Sequence, residues 1–129
     1  FAFVLAPYLY LTVHPNFKAS GRILRTLPWS FAVAILNAAS EEFQFRSVLL
    51  AHLRGAFRAG ENILLTAAFF GMNHYYGQPS GPLGVLMAGA AGWIWARSMI
   101  DTRGGVWAFL IHMTQDMVIF TFLAVGAGM

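Results

Sequence analysis

Three short stretches of this sequence place ionisable side chains in strongly apolar surroundings. They are Glu41, Glu42 and Arg46 in the first stretch, His74 in the second, and His112 and Asp116 in the third. Carboxylates and imidazoles activate water and move protons in hydrolases, and they also bind divalent metals. At the centre of a membrane helix each ionisable group costs about 2.5–3.5 kcal/mol on insertion scales, so such groups indicate a function.

In the first stretch, helical spacing separates the two carboxylates. Glu42 and Arg46 are four residues apart, so they share a helical face and can form an ion pair. Glu41 is rotated by about 100° and points elsewhere. In a soluble helix, a local ion cluster on a water-facing side would be the favoured interpretation. Inside a long apolar helix the pair neutralises one carboxylate, and Glu41 becomes the functional candidate.

The second and third stretches are ambiguous when each is taken alone. Phe70 and His74 share a helical face, but a histidine near a helix end is often a capping or interfacial residue. His112 and Asp116 are also four residues apart, and a buried hydrogen bond between them would merely hold helices together. Taken together, three helices bring ionisable groups into an interior that should exclude them, which favours a functional site.

The elements that must position these groups are apolar segments of membrane-helix length. The composition distinguishes a membrane protein from a soluble domain, because 58% of the 129 residues are hydrophobic and only 10% are charged. Soluble proteins have about 45–50% apolar and about 25% charged residues. We therefore predict an all-α fold, a polytopic transmembrane helical bundle with four to five spans. The bundle forms a single membrane-embedded domain over residues 1–129.

Breaks at polar, glycine and proline residues divide the chain into five apolar segments. Their predicted bounds are 1–13, 28–53, 61–76, 83–100 and 106–125. The first is short and is interpreted as the tail of a truncated span, and residues 14–27 as a loop or an interfacial helix. Pro28 suits a first helical turn. The small residues of 83–100 predict a tightly packed span.

Charge and cysteine content exclude several classes of function. The net charge of +3 comes from scattered basic residues, so nucleic-acid binding has no support. Without cysteine the chain has neither a disulfide framework nor a thiolate zinc site. The partner that the apolar composition indicates is the lipid bilayer.

Three motifs, in order, resemble those of the CPBP family: Glu41-Glu42-x-x-x-Arg46, Phe70-x-x-x-His74 and His112-x-x-x-Asp116. This family comprises type II CAAX prenyl endopeptidases and bacterial bacteriocin-processing or immunity proteins, formerly grouped as Abi proteins. The resemblance covers residues 28–125, a protease core that carries all three motifs. It implies an α-helical membrane protease that acts on a membrane-associated peptide or protein substrate, whose scissile bond enters a cavity between spans.

The resemblance also implies roles for the first two motifs. Glu41 with His74 would activate a water molecule, and Glu42 with Arg46 would hold Glu41 in place. The family has been described both as metalloproteases and as glutamate-dependent proteases. Two possibilities for the cofactor therefore stay open. Either zinc or another divalent metal is held by Glu41, His74 and the third motif, or the site uses no metal. The spacing is not that of a standard zinc signature.

In the third motif, the resemblance implies that His112 and the residue at 116 stabilise the oxyanion. An ionised carboxylate only accepts hydrogen bonds, whereas an oxyanion needs donors. Asp116 must then be protonated, or orient His112 as an imidazolium donor, or bind a metal. Eukaryotic-type CAAX enzymes carry Asn at this position. Asp therefore favours a bacterial-type member, in a bacterial plasma membrane, over one that acts on a prenylated CAAX substrate.

Two other classes of protein remain open from the sequence. Proton-coupled transporters and channels also use intramembrane Glu, His and Asp. Their polar face would be expected to continue along a whole helix, whereas here the polar groups cluster in one stretch per helix. A non-catalytic immunity or scaffold protein would keep the same residues without turnover.

Overall fold

The computed structural model describes residues 2–15 and 20–126, and in this part the regular secondary structure elements are helices joined by short turns. The α-helices are α1 (Ala2–Val13), α2 (Ser20–Glu42), α3 (Ala51–Leu53), α4 (Ala59–Asn73), α5 (Gly81–Thr102) and α6 (Val106–Gly126). A π-helical segment, Phe43–Leu50, joins α2 to α3. The predicted all-α fold is confirmed. Part of the segment predicted as a loop or an interfacial helix at 14–27, residues 16–19, lies outside the described residues.

Helix α2 begins earlier than the sequence predicts. Ser20 is its first residue, so the prediction that Pro28 opens the helix is wrong, and Pro28 lies inside α2. Proline lacks an N–H and so removes one hydrogen bond from a helix interior. Membrane helices tolerate proline because neighbouring groups satisfy the freed carbonyl. The residues just before Pro28 are therefore helical and not a loop.

The π-helical segment follows directly after the two glutamates of the first motif. Its backbone hydrogen bonds run from i to i+5, which widens the helix locally. Such segments are rare and occur frequently at functional sites. The uniform α-helical periodicity expected for residues 28–53 therefore holds only as far as Glu42.

Among the described residues, three helical stretches are long and apolar enough to cross a membrane. They are Ile23–Leu53, Gly81–Thr102 and Val106–Gly126. In the described part of the chain this is fewer than the four to five predicted spans, because α1 and α4 are short. At 1.5 Å per residue, the 15 residues of α4 extend about 22 Å, less than the roughly 30 Å hydrocarbon core.

The chain divides into two compact units, and the boundaries fall within α2 and α6. The first unit comprises Phe1–Ala38 and His112–Met129, and the second comprises Ala39–Ile111. In the first unit, α1 approaches the end of α6 so closely that a Cβ atom on Gly126 would collide with Val13. Leu5 and Leu9 of α1 are buried.

In the second unit, α4 and α5 pack along their lengths through small residues. A Cβ atom on Gly71 of α4 would lie 3.1 Å from the Cα atom of Gly89 on α5. The tightly packed span predicted from the glycines of α5 is therefore confirmed. Leu50, Ile63 and Ala96 form the apolar core of this unit.

Candidate active site

The guanidinium of Arg46 is the centre of a buried cluster in the second unit. Arg46 is only 1% exposed. Its Nε lies 3.4 Å from Oε2 of Glu42, which is the ion pair predicted from their spacing. Its Nη2 donates a hydrogen bond of 3.3 Å to the carbonyl oxygen of Gly92 on α5. A charge this deeply buried is tolerated only when it is paired and hydrogen-bonded, as here.

Aromatic rings surround the same guanidinium. Its central carbon lies 4.5 Å from the ring centre of Phe70, 5.2 Å from that of Trp95 and 5.9 Å from that of Phe45. The Phe70 ring packs edge-on against Trp95 at 5.4 Å and against Phe45 at 5.1 Å. These distances allow cation–π attraction, which is stronger when the cation is desolvated.

Gly92 is required for this arrangement. A Cβ atom at this position would lie 3.0 Å from Cδ1 of Phe70 and 3.3 Å from Nη2 of Arg46. Only a residue without a side chain allows the guanidinium to reach the Gly92 carbonyl while the Phe70 ring stays in place. One backbone position on α5 thus fixes side chains from the π-helical segment and from α4.

Glu41 lies at the end of α2, one residue before Glu42 and just before the π-helical segment. It is half-buried, and its Oε2 atom is shielded from solvent. Glu42 is more deeply buried, at 8% exposure. The two neighbouring carboxylates thus differ in burial, but both interact electrostatically with the guanidinium of Arg46.

His74 is the C-cap residue of α4 and is half-buried. Its Nδ1 lies 2.9 Å from the carbonyl oxygen of Phe70, and its ring lies 4.5 Å from the Phe70 ring. Because a carbonyl only accepts, Nδ1 must carry the proton, and neutral His74 then has an unprotonated Nε2. The same bond satisfies a carbonyl in the last turn of α4. His74 thus caps its helix and also holds a nitrogen able to accept a proton.

The third motif lies in the first unit. His112 and Asp116 are buried at 2% and 5% exposure. Nε2 of His112 lies 3.6 Å from Oδ1 of Asp116, which is within ion-pair range but longer than a hydrogen bond. Asn37 of α2 donates a hydrogen bond of 3.1 Å from Nδ2 to Oδ2 of Asp116. Asp116 therefore acts as an acceptor towards Asn37, while its other oxygen faces His112.

Within each unit, the described residues contain no group of three or more His, Asp or Glu side chains arranged to hold a metal ion. In the second unit, the first and second motifs are connected through Arg46 and Phe70. In the first unit, the members of the third motif lie side by side on α6.

Sequence reasoning missed three residues that these clusters use. Asn37 was overlooked because its partner Asp116 is 79 positions away, so no local spacing reveals the contact. Gly92 contributes a backbone carbonyl, and Trp95 a ring, to the surroundings of Arg46. The signal available for Gly92 was its place among the small residues of α5.

Comparison with known proteins identifies one family. The family model described as "Type II CAAX prenyl endopeptidase Rce1-like" matches residues 23–118, about three quarters of the chain. This range includes all three motifs together with Asn37 and Gly92. No curated protein and no solved structure matches the chain.

Proposed function

Because the chain belongs to the Rce1-like family of type II CAAX prenyl endopeptidases, we propose that it hydrolyses a peptide bond of a membrane-associated substrate. The family supports a CAAX-type intramembrane endopeptidase, and the apolar helices fit an integral membrane protein. The proposal goes further by assigning the water-activating pair to Glu41 and His74.

The observation that carries this proposal is the contact path through Arg46. Its guanidinium pairs with Glu42 of the first motif and packs on Phe70 of the second, whose ring contacts His74. A charged residue buried to 1% exposure is costly unless it organises its neighbours. Its contacts here connect the two motifs that family resemblance assigns to water activation.

Glu41 is proposed as the general base. An ionised carboxylate can accept a proton from water that is bound beside it. In the first step it takes a proton from water while the water oxygen forms a bond to the peptide carbonyl carbon. The carbonyl electrons move to the oxygen, which becomes the oxyanion. Nε2 of His74, unprotonated when Nδ1 donates to Phe70, can accept a hydrogen bond from the same water.

The second step expels the amine. The proton taken by Glu41 passes to the leaving nitrogen, the oxyanion re-forms the carbonyl and the C–N bond breaks. The products are the amine and a carboxylic acid, which loses its remaining proton to solvent. Each proton removed from water is thereby delivered to a product, and the base returns to its ionised form. Arg46 acts indirectly, as a positioning residue. Its guanidinium pairs with Glu42 and packs on the Phe70 ring, which contacts His74.

His112 is proposed as the oxyanion donor, with Asp116 as its orienting partner. Asp116 accepts from Asn37 and faces Nε2 of His112 with its other oxygen. Of the three roles left open by the sequence, this geometry favours a negatively charged Asp116 that stabilises an imidazolium. An imidazolium is a hydrogen-bond donor at both ring nitrogens, which is the property that an oxyanion site requires.

The proposed substrates are a CAAX-type C-terminal peptide, or a bacteriocin or leader peptide held at the membrane. Asp at position 116 favours the bacterial-type substrate and a location in a bacterial plasma membrane. A direct comparison uses purified protein in liposomes with prenylated and unprenylated CAAX peptides and a double-glycine leader peptide, and follows cleavage by mass spectrometry.

The catalytic assignment is tested by Glu41→Gln and His74→Ala. Both variants should lose detectable cleavage while their insertion and unfolding temperature stay close to those of the unmodified protein. Glu61→Gln and His52→Ala are matched controls, because both residues are exposed and lie outside the Arg46 cluster. Near-normal cleavage by Glu41→Gln would exclude the glutamate-base mechanism, whatever the substrate.

A further inference from the structure

A cavity of about 650 Å³ opens in the second unit where two candidate spans end. Leu53 is the last residue of one candidate span and Thr102 the last of the other. In a bilayer, a cavity at these helix ends is expected at the level of the lipid headgroups. Its volume falls within the roughly 300–1,000 Å³ range of small-molecule sites. It does not include the residues assigned to catalysis.

The polar lining of the cavity is suited to an anion. Arg54 and Arg103 line it, and the lining residues, all of them described, include no carboxylate. Nearby acidic groups have other partners. Glu61 accepts a hydrogen bond of 2.9 Å from the backbone N–H of Arg58. Asp101 pairs with Arg97 on the helix exterior.

A buried polar side chain also faces the cavity. Asn62 lines it, is only 4% exposed, and its Oδ1 atom has no hydrogen-bond partner among the described residues. A buried acceptor without a partner costs about 1–3 kcal/mol, so such an atom indicates a ligand or water that donates to it. The site thus offers two guanidinium donors and one buried acceptor.

The remaining lining is apolar. Leu50, Met99 and Ile100 contribute it, next to the core of the unit. A free inorganic anion would leave this apolar lining exposed to water, whereas the hydrocarbon part of an amphiphile would cover it. Basic pockets between membrane helices bind phospholipid headgroups by this combination of charges and apolar walls.

Arg103 occupies an unusual backbone conformation for its type. It is the C-cap residue of α5 with φ of 54°, in the left-handed region where glycine is favoured. Glycine would adopt this conformation at a lower cost than arginine, and a glycine, Gly104, is the very next residue. An arginine held there at a conformational cost, with its side chain at the cavity, is consistent with a ligand-binding role.

From these features we propose that the cavity binds an anionic glycerophospholipid whose headgroup carries a hydroxyl, such as phosphatidylglycerol. The guanidinium groups of Arg54 and Arg103 hold the phosphate, to which arginine can donate two parallel hydrogen bonds. A headgroup hydroxyl donates to Oδ1 of Asn62. The acyl chains lie against the apolar wall. The cavity is separate from the residues proposed for proteolysis, so lipid binding can be tested independently of the proposed activity.

The test measures lipid binding to the delipidated protein by native mass spectrometry, with phosphatidylglycerol, phosphatidylcholine and inorganic phosphate as probes. Wild-type protein should retain phosphatidylglycerol over phosphatidylcholine. The double variant Arg54→Gln/Arg103→Gly should bind phosphatidylglycerol about 30-fold more weakly, since each arginine near a lipid surface contributes roughly fivefold. The glycine relaxes the backbone at 103, and Arg54→Gln alone gives a second, milder variant.

Two controls make the result specific. Arg58→Gln removes an exposed arginine at the same end of the unit that does not line the cavity, and binding should be unchanged. Asn62→Leu should remove any preference for phosphatidylglycerol over phosphatidylmethanol, which has the same charge but no headgroup hydroxyl. Equal losses in Arg58→Gln and the double variant would overturn the proposal. So would inorganic phosphate, or a peptide carboxylate, displacing the lipid at equal concentration.

Discussion

Lysine in place of Arg46 keeps a positive charge beside Glu42 but removes the planar guanidinium. The hydrogen bond to the Gly92 carbonyl is charge-assisted, a type worth about 1.5–3 kcal/mol. The packing over Phe70 and Trp95 adds about 0.5–2 kcal/mol for a desolvated cation. Lysine retains part of both interactions, so Arg46→Lys should lower the free energy of unfolding by about 2–3 kcal/mol.

The measurement is reversible unfolding in mixed micelles, followed by cleavage of the best substrate at saturating concentration. Arg58→Lys is the matched control, because Arg58 is exposed and a surface change of this kind is usually within about 0.5 kcal/mol. Activity should fall in Arg46→Lys even at temperatures where the variant is fully folded. The guanidinium that the substitution removes packs on the Phe70 ring, and this ring contacts His74. Arg58→Lys should keep its activity.

Removing the charge altogether separates positioning from mere packing. Arg46→Leu should cost about 3–5 kcal/mol, because it leaves Glu42 buried without its cation. Adding Glu42→Gln to Arg46→Leu should recover part of that loss, as expected for two residues that interact directly. Equal responses to lysine at positions 46 and 58, or no coupling between 42 and 46, would refute the view that Arg46 organises the two motifs.

Three further predictions follow from other contacts. Gly92→Ala should destabilise the protein by about 1–3 kcal/mol because its Cβ would press on the Phe70 ring, whereas Gly60→Ala, with open space around it, should be neutral or slightly stabilising in the same unfolding assay. Asp116→Asn and Asp116→Leu should both lower kcat by about 100-fold if the residue acts as a negative charge that accepts from Asn37. High activity in the Asn variant would instead support a donor at this position. Cleavage should persist in the presence of a strong chelator. Loss of cleavage in the chelator, followed by recovery on addition of stoichiometric zinc, would contradict this expectation.

Contacts set by helical spacing could be predicted from the sequence. Glu42–Arg46, Phe70–His74 and His112–Asp116 are each four residues apart, and all three are contacts in the structure. An α-helix brings such residues together because 3.6 residues complete a turn. The Glu42–Arg46 contact also forms, although Arg46 lies in the wider π-helical segment.

Contacts between distant segments could not be predicted in this way. The Asn37–Asp116 hydrogen bond and the Gly92 carbonyl that receives Arg46 depend on which helix faces lie side by side. The start of α2 was also missed, because proline is treated as a helix opener by local rules although a membrane interior tolerates it within a helix. The π-helical segment has no pattern of residue types that distinguishes it from an α-helix.

The π-helical segment limits how this stretch of chain can change in length. Its i to i+5 hydrogen bonds accommodate more residues per turn than an α-helix does, so losing one residue between Phe43 and Leu50 would favour ordinary α-helical bonding. The helix beyond the deletion would then keep nearly the same direction relative to Glu42, because the lost residue and the tighter turn compensate each other. Only the side chains within the segment would change direction, and Arg46 is the buried charge among them. A relative with one residue fewer between Phe43 and Leu50 is therefore expected to keep the surrounding helices and to lose the present position of the Arg46 guanidinium.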